Sequence, residues 1–220
     1  MGRLTRDIAK GHRPHLVEPS ESDRRLSDTE LLRRHLAGDA EAFGALVRRY
    51  RRELFTFLAR FVGDATLAED IFQETFLQLH LSGAMFDPKR RLKPWLFTIA
   101  ANKARDAMRS RRRKQAAPLD AAVGGEDDHT SYIDLMPSDI PAPDEKSLNL
   151  ELRQSVQRIV NEMPDNLRIV LVMSYFHELP YKEIAEILEV PLGTVKSRLH
   201  AAVKHFAKQW KQQAERKKDG

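Results

Sequence analysis

Tyr181-Lys182-Glu183-Ile184-Ala185-Glu186-Ile187-Leu188-Glu189-Val190-Pro191-Leu192-Gly193-Thr194-Val195-Lys196-Ser197-Arg198-Leu199 is the stretch that decides the fold. It reads as two helices across a four-residue turn. Tyr181 to Leu188 forms the first. Glu189, Val190, Pro191 and Leu192 make the turn, and Gly193 to about Trp210 forms the second. Ile184, Ala185, Leu188, Val190, Val195 and Leu199 are spaced to build the small shared core of a helix-turn-helix. On the second helix Val195, Leu199, Val203 with Ala202, Phe206 and Trp210 are expected to face inward. Gly193, Lys196, Ser197 and His200 then share the outward face near the N-terminal end, where a recognition helix meets bases. Thr194 is placed to cap or to touch phosphate, and Arg198, off that face, to grip backbone.

Working upstream, Asp165 to Phe176 reads as one more helix, and residues 145–215 as one helical domain. Gln115 to Pro143 breaks the pattern with Pro118, Gly124, Gly125, Pro137 and Pro141 and the acidic run Glu126-Asp127-Asp128. Such a stretch reads as a flexible linker, assigned to 114–144. Before it, 27–113 is again helical. Ser27 or Asp28 caps a helix through Leu36, with Gly38 as its stop. Asp39 caps a second, carrying Phe43, Leu46, Val47, Tyr50, Leu54, Phe57, Leu58 and Phe61 at steps of three and four. Gly63 ends it, and Asp64 caps a third to about Leu81. Pro94 suits the first turn of a fourth, to about Arg113. Alternating β-branched runs are missing. The expectation is an all-α chain of two helical domains joined by a flexible linker, the second a helix-turn-helix domain.

Two faces of the first domain carry polar residues in register. On the third helix Ala68, Ile71, Phe72, Thr75, Phe76 and Leu79 make an apolar stripe, while Asp70, Gln73, Glu74 and Leu77 recur on another face. Spacing alone does not separate that face from ordinary solvated surface. On the fourth helix Trp95, Leu96, Ile99, Ala100 and Met108 are expected in the core. Thr98, Asn102, Arg105, Arg109 and Arg112 fall at steps of four, three, four and three. Arginines hold phosphates and Thr or Asn reaches base edges, so this stripe suits a nucleic acid as well as it suits a solvated helix end.

Ala68-Glu69-Asp70-Ile71-Phe72-Gln73-Glu74-Thr75-Phe76-Leu77 resembles the region 2.2 signature of the extracytoplasmic-function sigma factors, of the sigma-70 family. Lys93-Pro94-Trp95-Leu96-Phe97-Thr98-Ile99-Ala100-Ala101-Asn102 resembles their regions 2.3 and 2.4, and 181–199 their region 4.2. The resemblance implies an initiation subunit of bacterial RNA polymerase with regions 2 and 4 only, and no enzyme. It implies that Asp70, Gln73, Glu74 and Leu77 dock on the clamp coiled coil of polymerase β′, with β flap as a second contact. It implies that the Thr98–Arg112 stripe, with Phe86 or Met85 and Lys89, Arg90 and Arg91 of the preceding loop, handles the −10 element of promoter DNA. Gly193, Thr194, Lys196, Ser197, Arg198 and His200 then read the −35 element. An anti-sigma partner is usual for the family. Two positions depart from its pattern: Pro180 stands where Ser is common, and Glu189 where Gly is common after the first helix of the motif.

Composition narrows the field. Among 220 residues, 37 Lys and Arg outnumber 32 Asp and Glu, a net +5 that falls in clusters rather than evenly. Clustered basic charge is the footprint of nucleic-acid binding. With no cysteine, disulfide scaffolds, thiolate zinc sites and cysteine nucleophiles are excluded. No apolar run is long enough to span a bilayer, and 1–26 reads as a flexible, cytoplasmic tail. His12 and His15 lack carboxylate partners nearby, so no metal site and no cofactor is expected. Two other functions compete. A helix-turn-helix regulator that binds DNA independently of polymerase would explain the second domain alone. A nucleic-acid-modifying enzyme would need a phosphate loop, a metal cluster or a nucleophile–base set, and none is written in the chain. Promoter sequence and inducing signal are not legible.

Overall fold

The computed structural model describes residues 26–116 and 143–216. The expected tail and most of the linker, with His12 and His15, lie outside them. Among the described residues all regular structure is helical: α1 (Asp28–Leu36), α2 (Ala40–Val62), α3 (Ala65–Ser82), α4 (Leu92–Ala116), α5 (Pro143–Glu162), α6 (Asp165–Leu171), α7 (Tyr181–Leu188) and α8 (Leu192–Arg216).

The first domain begins each of its first three helices on a short oxygen-bearing side chain. Ser27 Oγ accepts from the Glu30 amide at 3.2 Å. Asp39 accepts from Glu41 and Ala42, and Asp64 from Leu67. Each cap satisfies amides that the helix itself leaves unpaired, an effect of about 1 kcal/mol. Gly63 closes α2 at φ +75°, a left-handed conformation that glycine adopts without a Cβ clash. The apolar stripes then fold onto one another. Leu46, Leu54, Phe57, Leu58 and Phe61 of α2 are buried with all six expected stripe residues of α3. Leu96, Ala100 and Met108 of α4 join them, with Phe97, Ala101 and Ala104 on the same side, whereas Trp95 and Ile99, expected in the core, are half-buried. Phe97 stacks obliquely on Phe57 at 5.4 Å between ring centres.

In the second domain the turn between α7 and α8 is a Schellman motif. Val190 donates to the Ala185 carbonyl at 3.1 Å and Glu189 to Glu186 at 3.3 Å. Glu189 takes the left-handed position itself, φ +52°. A side chain there costs about 1–2 kcal/mol relative to the glycine common in the family. Pro180 precedes α7 without a side-chain cap.

Two further expectations change. The helix read as Asp165 to Phe176 is α-helical only to Leu171, then widens into a π turn over Val172–Phe176. A π turn inserts backbone and swings the chain beyond it. Here Phe176 and His177 meet the first domain: the Arg60 guanidinium lies 4.3 Å over the Phe176 ring, and His177 meets Phe57 edge-on at 5.9 Å. The inward stripe of α8 is also narrower than expected. Val195, Leu199 and Ala202 are buried, but Val203 is 41% and Trp210 36% exposed. Val203 lies beside the line that Val195, Leu199, Ala202 and half-buried Phe206 draw at steps of four, three and four, and Trp210 stacks on Phe206 at 5.9 Å.

The buried residues of both domains join in one hydrophobic cluster. His177 sits at that junction. Burial, and then the charges of Arg60 and Lys93, push its imidazole down to about 4, so it is neutral in the folded chain at pH 7. An imidazole with a folded pKa below its unfolded value stabilises the fold above the unfolded value and loses that contribution as pH falls from about 6.5 toward 4. The loss is expected to reach about 2 kcal/mol at pH 5. Urea midpoints at pH 7 and pH 5 for the parent and His177→Phe check it. A parent and a variant that lose the same stability on acidification would exclude His177 as the cause.

Candidate nucleic-acid interfaces

The outward residues expected on α8 are exposed. With Val195 and Leu199 buried against Ile184 and Leu188, the residues Gly193, Lys196, Ser197 and His200 stand exposed on the opposite side. A Cβ on Gly193 would meet nothing within 4 Å and its φ is ordinary, so the fold does not demand glycine there. Ser197 Oγ donates back to the Thr194 carbonyl at 3.1 Å, which orients the start of the helix. Thr194 is half-buried, its amide bonded to Pro191. Arg198 is half-buried and turned toward the first domain, close enough to Arg105 to disfavour that group's charge after burial has done so.

The stripe on α4 is placed differently. Thr98 is half-buried, and its hydroxyl lies 2.9 Å from the Pro94 carbonyl in its own helix and 3.0 Å from the Ile187 carbonyl in α7. Asn102 is exposed, with Oδ1 accepting from Arg105 at 2.9 Å. Arg109 is exposed and lies 3.7 Å from Asp106. Arg112 reaches out of the first domain to Asp165 at 2.7 Å. In the loop before α4, Lys89 is exposed, while Arg91 pairs with Glu183 at 3.0 Å and Arg90 with Glu186 at 3.5 Å. Phe86 is half-buried against Trp95, ring centres 5.1 Å apart, whereas Met85 is 86% exposed. Of the two loop side chains considered for base contact, Met85 is the one that projects.

On α3 the residues Asp70, Gln73, Glu74 and Leu77 all face solvent, Leu77 at 57% exposure. Glu74 meets Lys103 at 3.3 Å and Gln73 meets Glu69 at 3.3 Å. The apolar part of this face runs beyond Leu77, through exposed Leu81 to Met85, with exposed Leu36 on α1. Steps of four from Leu77 to Leu81 to Met85 were the available signal. Glu183, Glu186 and Asp165, the acids that meet the basic loop and stripe, had no signal, since they belong to the other domain.

Among the described residues no group of three or more His, Cys, Asp or Glu is arranged to hold a metal ion. Nor is any helix among them long and apolar enough to cross a membrane.

A helix-turn-helix that leaves Lys196, Ser197 and His200 exposed, beside a second helical domain with its own polar stripe, has the build of a two-module DNA-binding protein. Comparison with known proteins is more specific. The family model for sigma-70 region 2 matches residues 46–114, and that for sigma-70 region 4 matches 153–206. The SigW sigma factor of Bacillus subtilis is 36% identical over 172 residues, covering 78% of this chain and 90% of that protein. The RNA polymerase sigma-H factor of Pseudomonas aeruginosa is 33% identical over 175 residues, covering 80% and 89%. In fold, the chain is similar to the sigma factor RpoE of Bartonella quintana, solved in complex with the anti-sigma factor NepR. The TM-score is 0.59 at 22% identity, over 78% of this chain and 98% of that one. The chain belongs to the extracytoplasmic-function RNA polymerase sigma factors of the sigma-70 family.

Proposed function

We propose that this sigma factor directs core RNA polymerase to its promoters by dividing the work between two reading surfaces. The exposed Lys196/Ser197/His200 face of α8 reads the −35 element as duplex, because a helix enters an intact major groove. The α4 stripe and the loop before it, with Lys89 and the projecting Met85, handle the −10 element and aid its opening. Asp70, Gln73, Glu74 and Leu77 dock on the β′ clamp coiled coil, and the second domain on the β flap. The protein carries out no chemistry of its own, and works in the cytoplasm. An anti-sigma partner, of the kind bound by the Bartonella quintana protein, is part of this proposal.

The observation that carries the reading is the free basic face of α8, built on a helix-turn-helix whose core is fully formed. Run-off transcription by core polymerase plus this protein on a randomised promoter library tests it. A shared pair of sequence elements among the transcribed templates is the expected result. Binding to DNA without any transcription would mark an independent regulator instead.

The same library separates base readers from phosphate contacts. Lys196→Ala is expected to relax preference at one −35 position, by about 1–3 kcal/mol if the ammonium contacts a base edge. Arg198→Ala should weaken all sequences alike and flatten the salt dependence. Unchanged preferences in both Lys196→Ala and His200→Ala would remove α8 as the reader.

A further inference from the structure

The C-terminal ends of α1 and α3 meet through two imidazoles. Nε2 of His35 lies 3.0 Å from Nδ1 of His80. The two residues are 45 apart in sequence, so spacing along the chain does not reveal the pair. His35 is half-buried and His80 exposed, which leaves the pair open to water on one side. Phe43 of α2 steadies both rings. It lies 4.4 Å from His35 between ring centres and meets His80 edge-on at 5.9 Å. His35 also makes a hydrogen bond to the Asp39 backbone. With Nε2 turned to His80, that bond falls to Nδ1, so a neutral His35 presents a lone pair at Nε2.

We propose that His35 and His80 form a two-imidazole site for a divalent transition-metal ion of the copper, nickel and zinc class, with water completing its coordination. The geometry behind it is the 3.0 Å separation of two ring nitrogens carried by different helices. An ion held about 2.0–2.1 Å from each nitrogen makes an angle of roughly 95° between them. That is close to the angle between neighbouring ligands of a square-planar or octahedral ion and narrower than a tetrahedral one. The site therefore favours copper or nickel over zinc, and imidazole ligands disfavour the oxygen-seeking magnesium and calcium.

The surroundings suit a ligand role. A metal-bound imidazole usually donates its other N–H to a backbone carbonyl or a carboxylate, which fixes the ring and its tautomer. The Asp39 backbone serves His35 in that way. Burial, and then the neighbouring His80, hold the His35 imidazole below its ordinary value, so at pH 7 it is in the neutral form that binds metal. The Asp39 carboxylate acts the other way and favours positive charge at this place. Arg33 and Arg34 share the last turn of α1, but both are paired with Glu30. Coordination asks only that His80 carry its proton on Nε2 instead of Nδ1, so the neutral pair loses no proton. A bound ion then ties α1 to α3 in place of one hydrogen bond.

The test uses the full chain with His12→Gln/His15→Gln/His129→Gln as the parent, which removes the three histidines outside the described residues as competing ligands. Cu2+ is the probe and Mg2+ the control. Affinity is read by competition with a chelator, the ligand set by pulsed EPR, and stability by urea midpoints. The expected result is one equivalent of copper with the signature of two imidazoles, and a midpoint that rises with copper and not with magnesium. His35→Gln and His80→Gln should each lower copper affinity at least tenfold, leave the signature of a single imidazole and abolish the rise. Glutamine is a good helix former, and circular dichroism without metal checks that both variants stay folded. No copper bound by the parent, a single-imidazole signature in the parent, or affinity and signature unchanged in both variants would each overturn the site and leave a pair of histidines that only bond to one another.

Discussion

Arg168→Met is expected to destabilise the chain by about 3–5 kcal/mol, the range for stripping a partner from a buried charged network. Arg168 is 4% exposed. Its guanidinium donates to the carbonyls of Phe61, Asn161 and Met163 and lies 3.7 Å from Asp165. Phe61 and Asn161 are in the last turns of α2 and α5, where carbonyls have no intrahelical partner and the helix dipole favours a cation. One side chain thus closes two helix ends from different domains. Methionine fills much of the volume but leaves three carbonyls without their donor, and each such group carries a desolvation cost, while Asp165 keeps Arg112. Arg168→Lys keeps the charge but not the planar fork, so it should recover only part of the loss. Urea unfolding measures both. A midpoint shift worth less than about 1 kcal/mol in Arg168→Met would show that water replaces the guanidinium there.

Asp70→Lys/Glu74→Lys is expected to cut binding to core polymerase at least tenfold, about 1.4 kcal/mol, while leaving helix content unchanged. Both carboxylates are exposed on α3, opposite a stripe that is buried, so reversing them does not touch the core. The internal contact at risk is Glu74 with Lys103, an exposed pair worth about 0–1 kcal/mol. Circular dichroism with a pull-down of core polymerase reads the two halves of this expectation. Retention equal to the parent would mean that this face is ordinary solvated surface.

What made the fold legible was local. Ser27, Asp39 and Asp64 each stand one residue before a helix begins, and Gly63 one residue after Val62 ends α2, so these boundaries fall where the caps require. The outward face of α8 was legible for the same reason, because Val195 and Leu199 fix which side is inward. Where the local rule ran out, so did the reading. Nothing in 172–176 marks a π turn, since Met173 and Phe176 fit an α-helical stripe as readily. Val203 and Trp210 are apolar yet partly exposed, so apolar character alone does not say which side of α8 is covered. Phe97 lies in the middle of the buried side of α4, with Leu96, Ala100, Ala101, Ala104 and Met108, whereas Trp95 and Ile99 at its edge are only half-buried.

By itself the sequence determined two helical modules, the helix-turn-helix and the three surfaces to examine, because each rests on periodicity, caps and residue type within a few turns of chain. The tertiary structure alone decided how the modules meet. Arg91 and Glu183 are 92 residues apart in sequence, and Arg168 and Phe61 are 107. Pairing at such separations depends on helix-end carbonyls and exposed carboxylates, which every helix offers. Only packing selects which of them comes within 3 Å of an arginine.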